Sequence, residues 1–87
     1  MTRQTANEIK KVINTEKHYQ TYYNSKSDVF RVLVNQYYDG RNEQAAETKK
    51  RIQKVLVKLQ DNGLRPRFEI EHKRYQGFIN CIYLIFR

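Results

Sequence analysis

The side chains of this sequence that could do chemistry are mainly cations, and three of them share a helical spacing. Lys50, Lys54 and Lys58 recur every four residues, which on an α-helix brings them to one side. A row of ammonium groups can follow phosphates by displacing condensed counterions, and such binding weakens steeply with salt and carries little sequence information. The spacing therefore predicts contacts with a phosphate backbone. The solvated face of an amphipathic helix explains the same three lysines without any ligand.

More cations follow this lysine ridge along the chain. Between residues 49 and 74 there are nine lysines and arginines against three acids, so this stretch carries +6 of the net charge of +8. Solubility alone does not require such clustering of one sign. Guanidinium and phenol planes in a hairpin tip can also stack on unpaired bases or enter a groove. The predicted DNA or RNA contacts are Lys50, Lys54, Lys58, Arg65, Arg67, Lys73, Arg74 and Tyr75.

Catalytic chemistry has few candidates. The two histidines, His18 and His72, are 54 positions apart, and the chain has no P-loop, dinucleotide-binding glycine pattern, zinc-ligand spacing or nucleophile motif. We expect a protein that is not an enzyme and that has no cofactor or metal. The enzymatic alternative is a metal-independent ribonuclease, which needs only proton transfer and a cation beside the phosphorane. Its candidate residues are His72, Glu69 or Glu71, Arg74 and Tyr75.

Size and composition predict one small domain spanning residues 1–87. Hydrophobic residues make up 39% and charged residues 30% of the chain, which is the balance of a folded globular protein. Cys81 is the single cysteine and lies in an apolar run, so we interpret it as a buried thiol in a reducing cytoplasm. The first residues have no apolar signal-peptide core and no stretch is long enough to span a membrane. We therefore expect a cytoplasmic protein without a membrane partner.

The first half of the chain predicts one helix and two strands. Thr5 and Glu8 have the spacing of a capping box, and the apolar residues that follow predict a helix over 6–17. Residues 19–38 fit two periods. Their β-branched and aromatic content favours strands at 19–23 and 29–35, joined by a polar turn. The alternative is a helix that is capped by Ser27 and ends at Asp39 and Gly40.

The second half predicts a helix and a hairpin. Apolar residues at i, i+3, i+4 and i+7 from Ile52, a cap at Asn42 and the glycine at Gly63 predict a helix over 43–62. Alternation in 67–72 and the apolar run 78–86 predict a hairpin with its tip at 72–77. The fold class is therefore α+β, in the order α-β-β-α-β-β, with a four-stranded, mostly antiparallel sheet packed by two helices.

Two families of DNA-binding proteins show similar patterns. Residues 29–86, with a strand, Gly40-Arg41, an amphipathic helix and a long hairpin, resemble the second half of the Alba chromatin proteins. The segment Lys49–Gly63 and its following hairpin are similar to the recognition helix and wing of winged-helix proteins, which implies an alternative fold that is mainly α. The amino-terminal strand and the lysine-bearing loop of Alba are absent, and the helix that precedes a recognition helix has no good counterpart between Tyr38 and Lys49. No residue role is carried over from either family.

Seven tyrosines and the apolar strand 78–86 support a different function class. Tyrosine is enriched at protein interfaces as well as on base-stacking surfaces. The alternative to nucleic-acid binding is therefore a protein-interaction module. It would be a small regulator or inhibitor that docks on an acidic partner surface, or a homodimer that uses strand 78–86.

Overall fold

The computed structural model describes residues 1–15 and 18–87, which form two helices and four strands. The predicted α+β class and the α-β-β-α-β-β order are confirmed. The alternatives, a helix in the second quarter of the chain and a mainly α winged-helix fold, are wrong. The elements are α1 (Arg3–Ile13), β1 (Thr21–Asn24), β2 (Val29–Tyr37), α2 (Ala46–Asp61), β3 (Phe68–Tyr75) and β4 (Ile79–Phe86).

The first hairpin resolves the segment that fitted two periods. The side chain of Asn24 accepts hydrogen bonds from the backbone N–H of Lys26 at 2.9 Å and of Ser27 at 3.4 Å. Asp28 has φ 52°, a left-handed conformation that aspartate tolerates better than most residues. These local bonds favour a turn over the helix that Ser27 would cap. Strand β2 then continues to Tyr37, two residues beyond the predicted end.

The four strands pair in the order β1-β2-β4-β3, and every neighbouring pair is antiparallel. Strand β4 therefore lies in the middle of the sheet, and β3 is an edge strand. The β2–β4 register shifts between Leu33 and Asn35, which leaves Val34 as a bulged residue. Arg51 of α2 donates a hydrogen bond to the Val34 carbonyl at 3.2 Å, so the polar backbone of the bulge is satisfied from the helix.

Both helices begin at positions that the sequence patterns did not predict. Helix α1 begins at Arg3 because the hydroxyl of Thr2 accepts the N–H of Thr5 at 3.2 Å, so the cap is Thr2 and the predicted capping box at Thr5 is wrong. The helix ends at Ile13; of the rest of the predicted helix, residues 16 and 17 lie outside the described residues.

Helix α2 begins at Ala46 and not at 43, because Asn42 accepts the N–H of Gln44 at 2.8 Å and so closes a separate turn before the helix. Its end agrees with the glycine pattern. The N–H of Leu64 donates to the Leu59 carbonyl at 2.9 Å and Gly63 has φ 76°, which is a Schellman motif.

The core lies between the sheet and the two helices, which both pack on one face of the sheet. Buried apolar residues of α1, α2, β2 and β4 meet in this single cluster. Because side chains alternate along a strand, the second sheet face, which we call the open face, carries the other set of β2 and β4 residues. The open-face cluster consists of Val29, Cys81, Tyr83 and Ile85, with Leu33 and Ile79 against it.

The second hairpin is longer than the sequence pattern predicted. Strand β3 extends to Tyr75, so that the predicted tip at 72–77 is reduced to the turn at residues 76–78. Three of the predicted site residues, Lys73, Arg74 and Tyr75, are therefore strand residues. Their side chains alternate between the two faces of the sheet.

Candidate nucleic-acid interface

Helix α2 presents the lysine ridge to solvent. Its buried side chains are Thr48, Ile52, Val55 and Leu59, which lie on the side that faces the sheet. On the opposite side Lys50 and Lys54 are exposed, about 6 Å apart along the helix axis. Lys49 is also exposed, on the flank toward β3, whereas Lys58 is half-buried.

Three lysines of α2 have no acidic partner in the part of the chain that the structure describes. Among the described residues, no carboxylate lies within ion-pairing distance of Lys49, Lys50 or Lys54. Asp61 is the one acid that lines the same shallow surface as the ridge. Uncompensated ammonium groups on one helix face produce a local positive potential that attracts polyanions.

Several acids elsewhere have cationic partners. Arg41 pairs with Asp39 at 3.0 Å and also with Glu47, and these contacts lie at the turn before α2 and in its first helical turn. The hydrogen bond from Arg41 holds the pKa of Asp39 below its ordinary value. On the sheet, Arg31 pairs with Glu71 at 3.2 Å and Arg87 with Glu69 at 3.3 Å.

Arg65 and Arg67 follow α2 in the chain. They lie in the connection between the Schellman motif and β3, and both are exposed. The Arg67 carbonyl accepts the N–H of Arg87 at 3.2 Å, which continues the β3–β4 ladder and anchors this arginine's backbone. Residue 67 is two positions before Glu69 in this ladder, so the Arg67 side chain lies on the open face, across the sheet from Lys50 and Lys54.

Lys73 and Tyr75 are likewise separated from Lys50 and Lys54. Lys73 pairs in register with Cys81 and lies 3.7 Å from Glu71, and Tyr75 pairs with Ile79, so both side chains lie on the open face. The eight predicted contact residues therefore do not form one surface.

Arg74 points the other way, toward the helices, where its Nε donates to the side-chain oxygen of Asn80 at 3.3 Å. It also lies about 23 Å along β3 from Arg67. Arg74 is thus at the far end of the sheet from the two loop arginines.

A polar cluster that sequence patterns did not predict surrounds His72. Its Nδ1 lies 3.4 Å from Glu43, in the turn before α2, and its Nε2 lies 3.0 Å from the oxygen of the fully buried Asn80. Arg74 binds the same Asn80 oxygen, which fixes the orientation of that amide. The signal was weak because Glu43 and His72 are 29 positions apart and only the fold brings them together.

The predicted ribonuclease set does not assemble around His72. Glu69 and Glu71 lie on the open face, with Tyr75, whereas His72 and Arg74 face the helices. Both ring nitrogens of His72 already contact protein oxygens, so neither is directed at a substrate in this arrangement. The geometry gives the cluster a structural role, which is to tie β3 and β4 to the turn before α2.

Long side chains of the open face cover the centre of that face. The rings of Tyr22 and Tyr83 meet edge to face with centroids 6.3 Å apart. Burial raises the pKa of the Tyr83 phenol, and a hydrogen bond with Tyr75 adds to that shift. Burial likewise raises the pKa of the Cys81 thiol. The face is therefore a small second core, and Tyr22 and Tyr75 are its exposed rim.

Searches against known protein families, curated protein sequences and solved structures find no match to this chain. Among the described residues, no group of three histidine, cysteine, aspartate or glutamate side chains is placed to hold a metal ion. No helix in the described part of the chain is both long enough and apolar enough to cross a bilayer.

Proposed function

We propose that this protein is a non-enzymatic nucleic-acid-binding protein of the cytoplasm that holds phosphates on the outer face of α2. The observation that supports it best is that the exposed Lys49, Lys50 and Lys54 have no carboxylate within ion-pairing distance among the described residues. Arg65, exposed in the connection between α2 and β3, is a further candidate contact, whereas Arg67 lies on the open face. The buried free thiol of Cys81 suits a reducing compartment.

The proposed mechanism is electrostatic and does not read sequence. Lysine ammonium groups neutralise phosphates as point charges and release counterions, whereas base recognition needs side chains that reach base edges. The geometry supports Lys49 as an additional contact. It supports Lys73 and Tyr75 least, because they lie across the sheet from the ridge. We therefore expect similar affinity for different sequences of one type of nucleic acid.

The experiment is fluorescence anisotropy with labelled single-stranded DNA, duplex DNA and RNA at about 50 and 200 mM salt, where phosphate-driven binding differs by orders of magnitude. The test variant is K50E/K54E. Its matched control is K11E/K26E, which changes the net charge equally at exposed positions on α1 and in the β1–β2 turn. Glutamate and lysine have similar helix propensity, so the K50E/K54E variant should stay folded.

We expect K50E/K54E to weaken binding to all sequences and to make the slope of log affinity against log salt shallower by about two, one for each lost phosphate contact. The control should leave the slope unchanged. Equal effects of the two double variants would refute a defined surface on α2. Binding no tighter than that of an unrelated basic protein of equal charge would refute the function itself and favour the alternative, docking on an acidic protein partner.

A further inference from the structure

The outer edge of β3 is long and unprotected. Strand β3 has eight residues, whereas the other edge strand, β1, has four. Within residues 1–15 and 18–87, no hydrogen bond from another part of the chain reaches that outer edge. Native proteins usually shorten, bend or cover such an edge, because its free N–H and C=O groups can template pairing with another strand. This edge contains neither a proline nor a bulge.

The backbone geometry identifies which groups of β3 are free. Arg87 donates to the Arg67 carbonyl, so residues 67 and 87 are a hydrogen-bonded pair and every second residue of β3 continues that pattern. The alternate residues of β3 direct both their N–H and their C=O groups away from β4, toward the outer edge. They are Phe68, Ile70, His72 and Arg74, whose side chains lie on the helix side of the sheet.

The edge also carries an exposed apolar patch. Phe68 and Ile70 of β3 are 47% and 45% exposed, and Val57 of α2 is 45% exposed. Ile70 and Val57 line one groove between α2 and β3. Free backbone groups beside exposed apolar side chains are the combination that β-strand addition uses, in which main-chain hydrogen bonds give affinity and side chains give specificity.

The charges of β3 are self-complementary in antiparallel pairing. Two acids, Glu69 and Glu71, lie in its first half and two bases, Lys73 and Arg74, in its second half, so the strand is neutral in a chain of net charge +8. An antiparallel copy of the strand places the acidic half against the basic half. A parallel copy would place like charges together.

We propose that the β3 edge pairs with the β3 edge of a second copy of this chain, antiparallel and centred on Glu71, to form a continuous eight-stranded sheet. In this register Ile70 faces His72 of the second copy and Phe68 faces Arg74, so all outward backbone groups of β3 are bonded. On the open face, Glu69 faces Lys73 of the second copy, and this pair occurs twice. Glu71 faces Glu71 of the second copy, and the ion pair of each Glu71 with Arg31 of its own chain at 3.2 Å offsets this like-charge contact. Phe68 and Arg74 also form a cation–π pair.

This symmetry has a consequence for the α2 surface. A twofold axis perpendicular to the sheet leaves the helices of both copies on the same side, so the two lysine ridges face one direction. The dimer does not depend on the proposed nucleic-acid binding. It is tested without nucleic acid, so that failure of either proposal can be told from failure of the other.

The first test is the mass of the purified chain by sedimentation equilibrium between about 10 and 500 µM. We expect a concentration-dependent species of twice the 10.6 kDa of one chain. E69K and K73E should each raise the dissociation constant about tenfold, because two attractive cross-strand pairs become repulsive. E69K/K73E should restore dimerisation, because both pairs are then reversed. A chain that stays monomeric throughout, or a double variant as weak as the singles, would overturn the proposal.

The second test locates the register directly. Glu69 and Lys73 are four residues apart on one strand, so their Hα atoms are about 13 Å apart within one chain. Across the proposed interface they form a non-hydrogen-bonded pair with Cα atoms about 4.5 Å apart. A mixed sample of isotope-labelled and unlabelled chains should therefore show an intermolecular NOE between these two Hα atoms. A dimer without this NOE would place the interface elsewhere and overturn the proposed register.

Discussion

Strands β3 and β4 form one hairpin, have eight residues each and pair along their whole length, but their burial differs almost completely. In β4, residues 80–86 are all buried. In β3, only Glu71 is even half-buried. Since their hydrogen bonding to each other is shared, the difference comes from position: β4 has a strand on both sides and β3 has one. Strand β4 therefore belongs to the core, and β3 presents its side chains at the surface.

The sharpest way to break this comparison uses Phe86 and Phe68, which face each other across the two strands. Phe86 is fully buried and stacks on Phe30, whereas Phe68 is half exposed. We expect Phe86→Ala to lower the free energy of unfolding by about 3–5 kcal/mol, through lost transfer energy and a cavity, and Phe68→Ala by less than about 1 kcal/mol. The measurement is urea unfolding at low micromolar concentration, where self-association is minimal.

Similar losses for the two variants would show that β3 is covered in solution and that the contrast between the strands is false. A large loss for Phe68→Ala that appears only at high protein concentration would instead support pairing of the β3 edges.

A second comparison uses Cys81 and Lys73, which are also paired in register and both lie on the open face. Cys81 is 4% exposed, whereas the Lys73 side chain is 45% exposed. The rate of thiol labelling at pH 7.5 should be at least about 100-fold lower for native Cys81 than for a cysteine at position 73 in K73C/C81A, because labelling of Cys81 requires local opening.

The pH dependence of this labelling follows from the raised thiol pKa. The folded state keeps Cys81 protonated up to its raised pKa, so labelling through the opened form should keep accelerating above the ordinary thiol pKa, where labelling of the exposed cysteine levels off. The stability that goes with the protonated thiol is present below the ordinary pKa and is lost as pH rises through the folded-state pKa. Equal labelling rates at the two positions would show that Cys81 is accessible in the folded protein and that the centre of the open face is not buried.

The smallest expected effects lie in the turn that joins the two strands. Gly77 has φ 76° with no atom within 4 Å of an added Cβ, so Gly77→Ala should cost about 1–2 kcal/mol from backbone strain alone. Gln76 also has a positive φ, of 54°. Gln76→Gly should therefore stabilise by about 0.5 kcal/mol, the strain relieved less the added chain entropy. Thermal unfolding of both variants shows whether each substitution raises or lowers the free energy of unfolding. Loss of stability in Gln76→Gly would show that the Gln76 side chain holds the turn.

Local patterns predicted the elements better than their ends. The apolar stripe of α2 and the Gly63 signal depend on residues within one or two helical turns, and both agree with the structure. The start of α1 was missed because Thr2 and Thr5 both suit a cap, and only the observed bond from the Thr5 N–H to Thr2 distinguishes them. Short-range hydrogen bonds that compete on nearly equal terms are not decided by residue type.

The candidate site was predicted only in part, because local spacing places residues on a helix but does not bring distant elements together. The exposure of Lys50 and Lys54 follows from the helical repeat, which is local. Lys73, Arg74 and Tyr75 were grouped with them because they are close in sequence, but strand geometry sends neighbouring side chains to opposite faces. The cluster of Glu43, His72 and Asn80 joins three elements, and nothing local indicates it.

The sequence by itself determined the fold class, the lysine ridge and the excess of positive charge, because each depends on composition or on a period of a few residues. Only the tertiary structure decided that β4 is central. Both faces of a central strand can be buried, and the same apolar run would serve equally well as an exposed interface at an edge. The predicted homodimer interface at residues 78–86 is therefore wrong, since both hydrogen-bonding edges of β4 are paired and residues 80–86 are buried. Strand order is fixed by contacts between distant segments, and these contacts leave β3, with its acidic first half and basic second half, as the free edge.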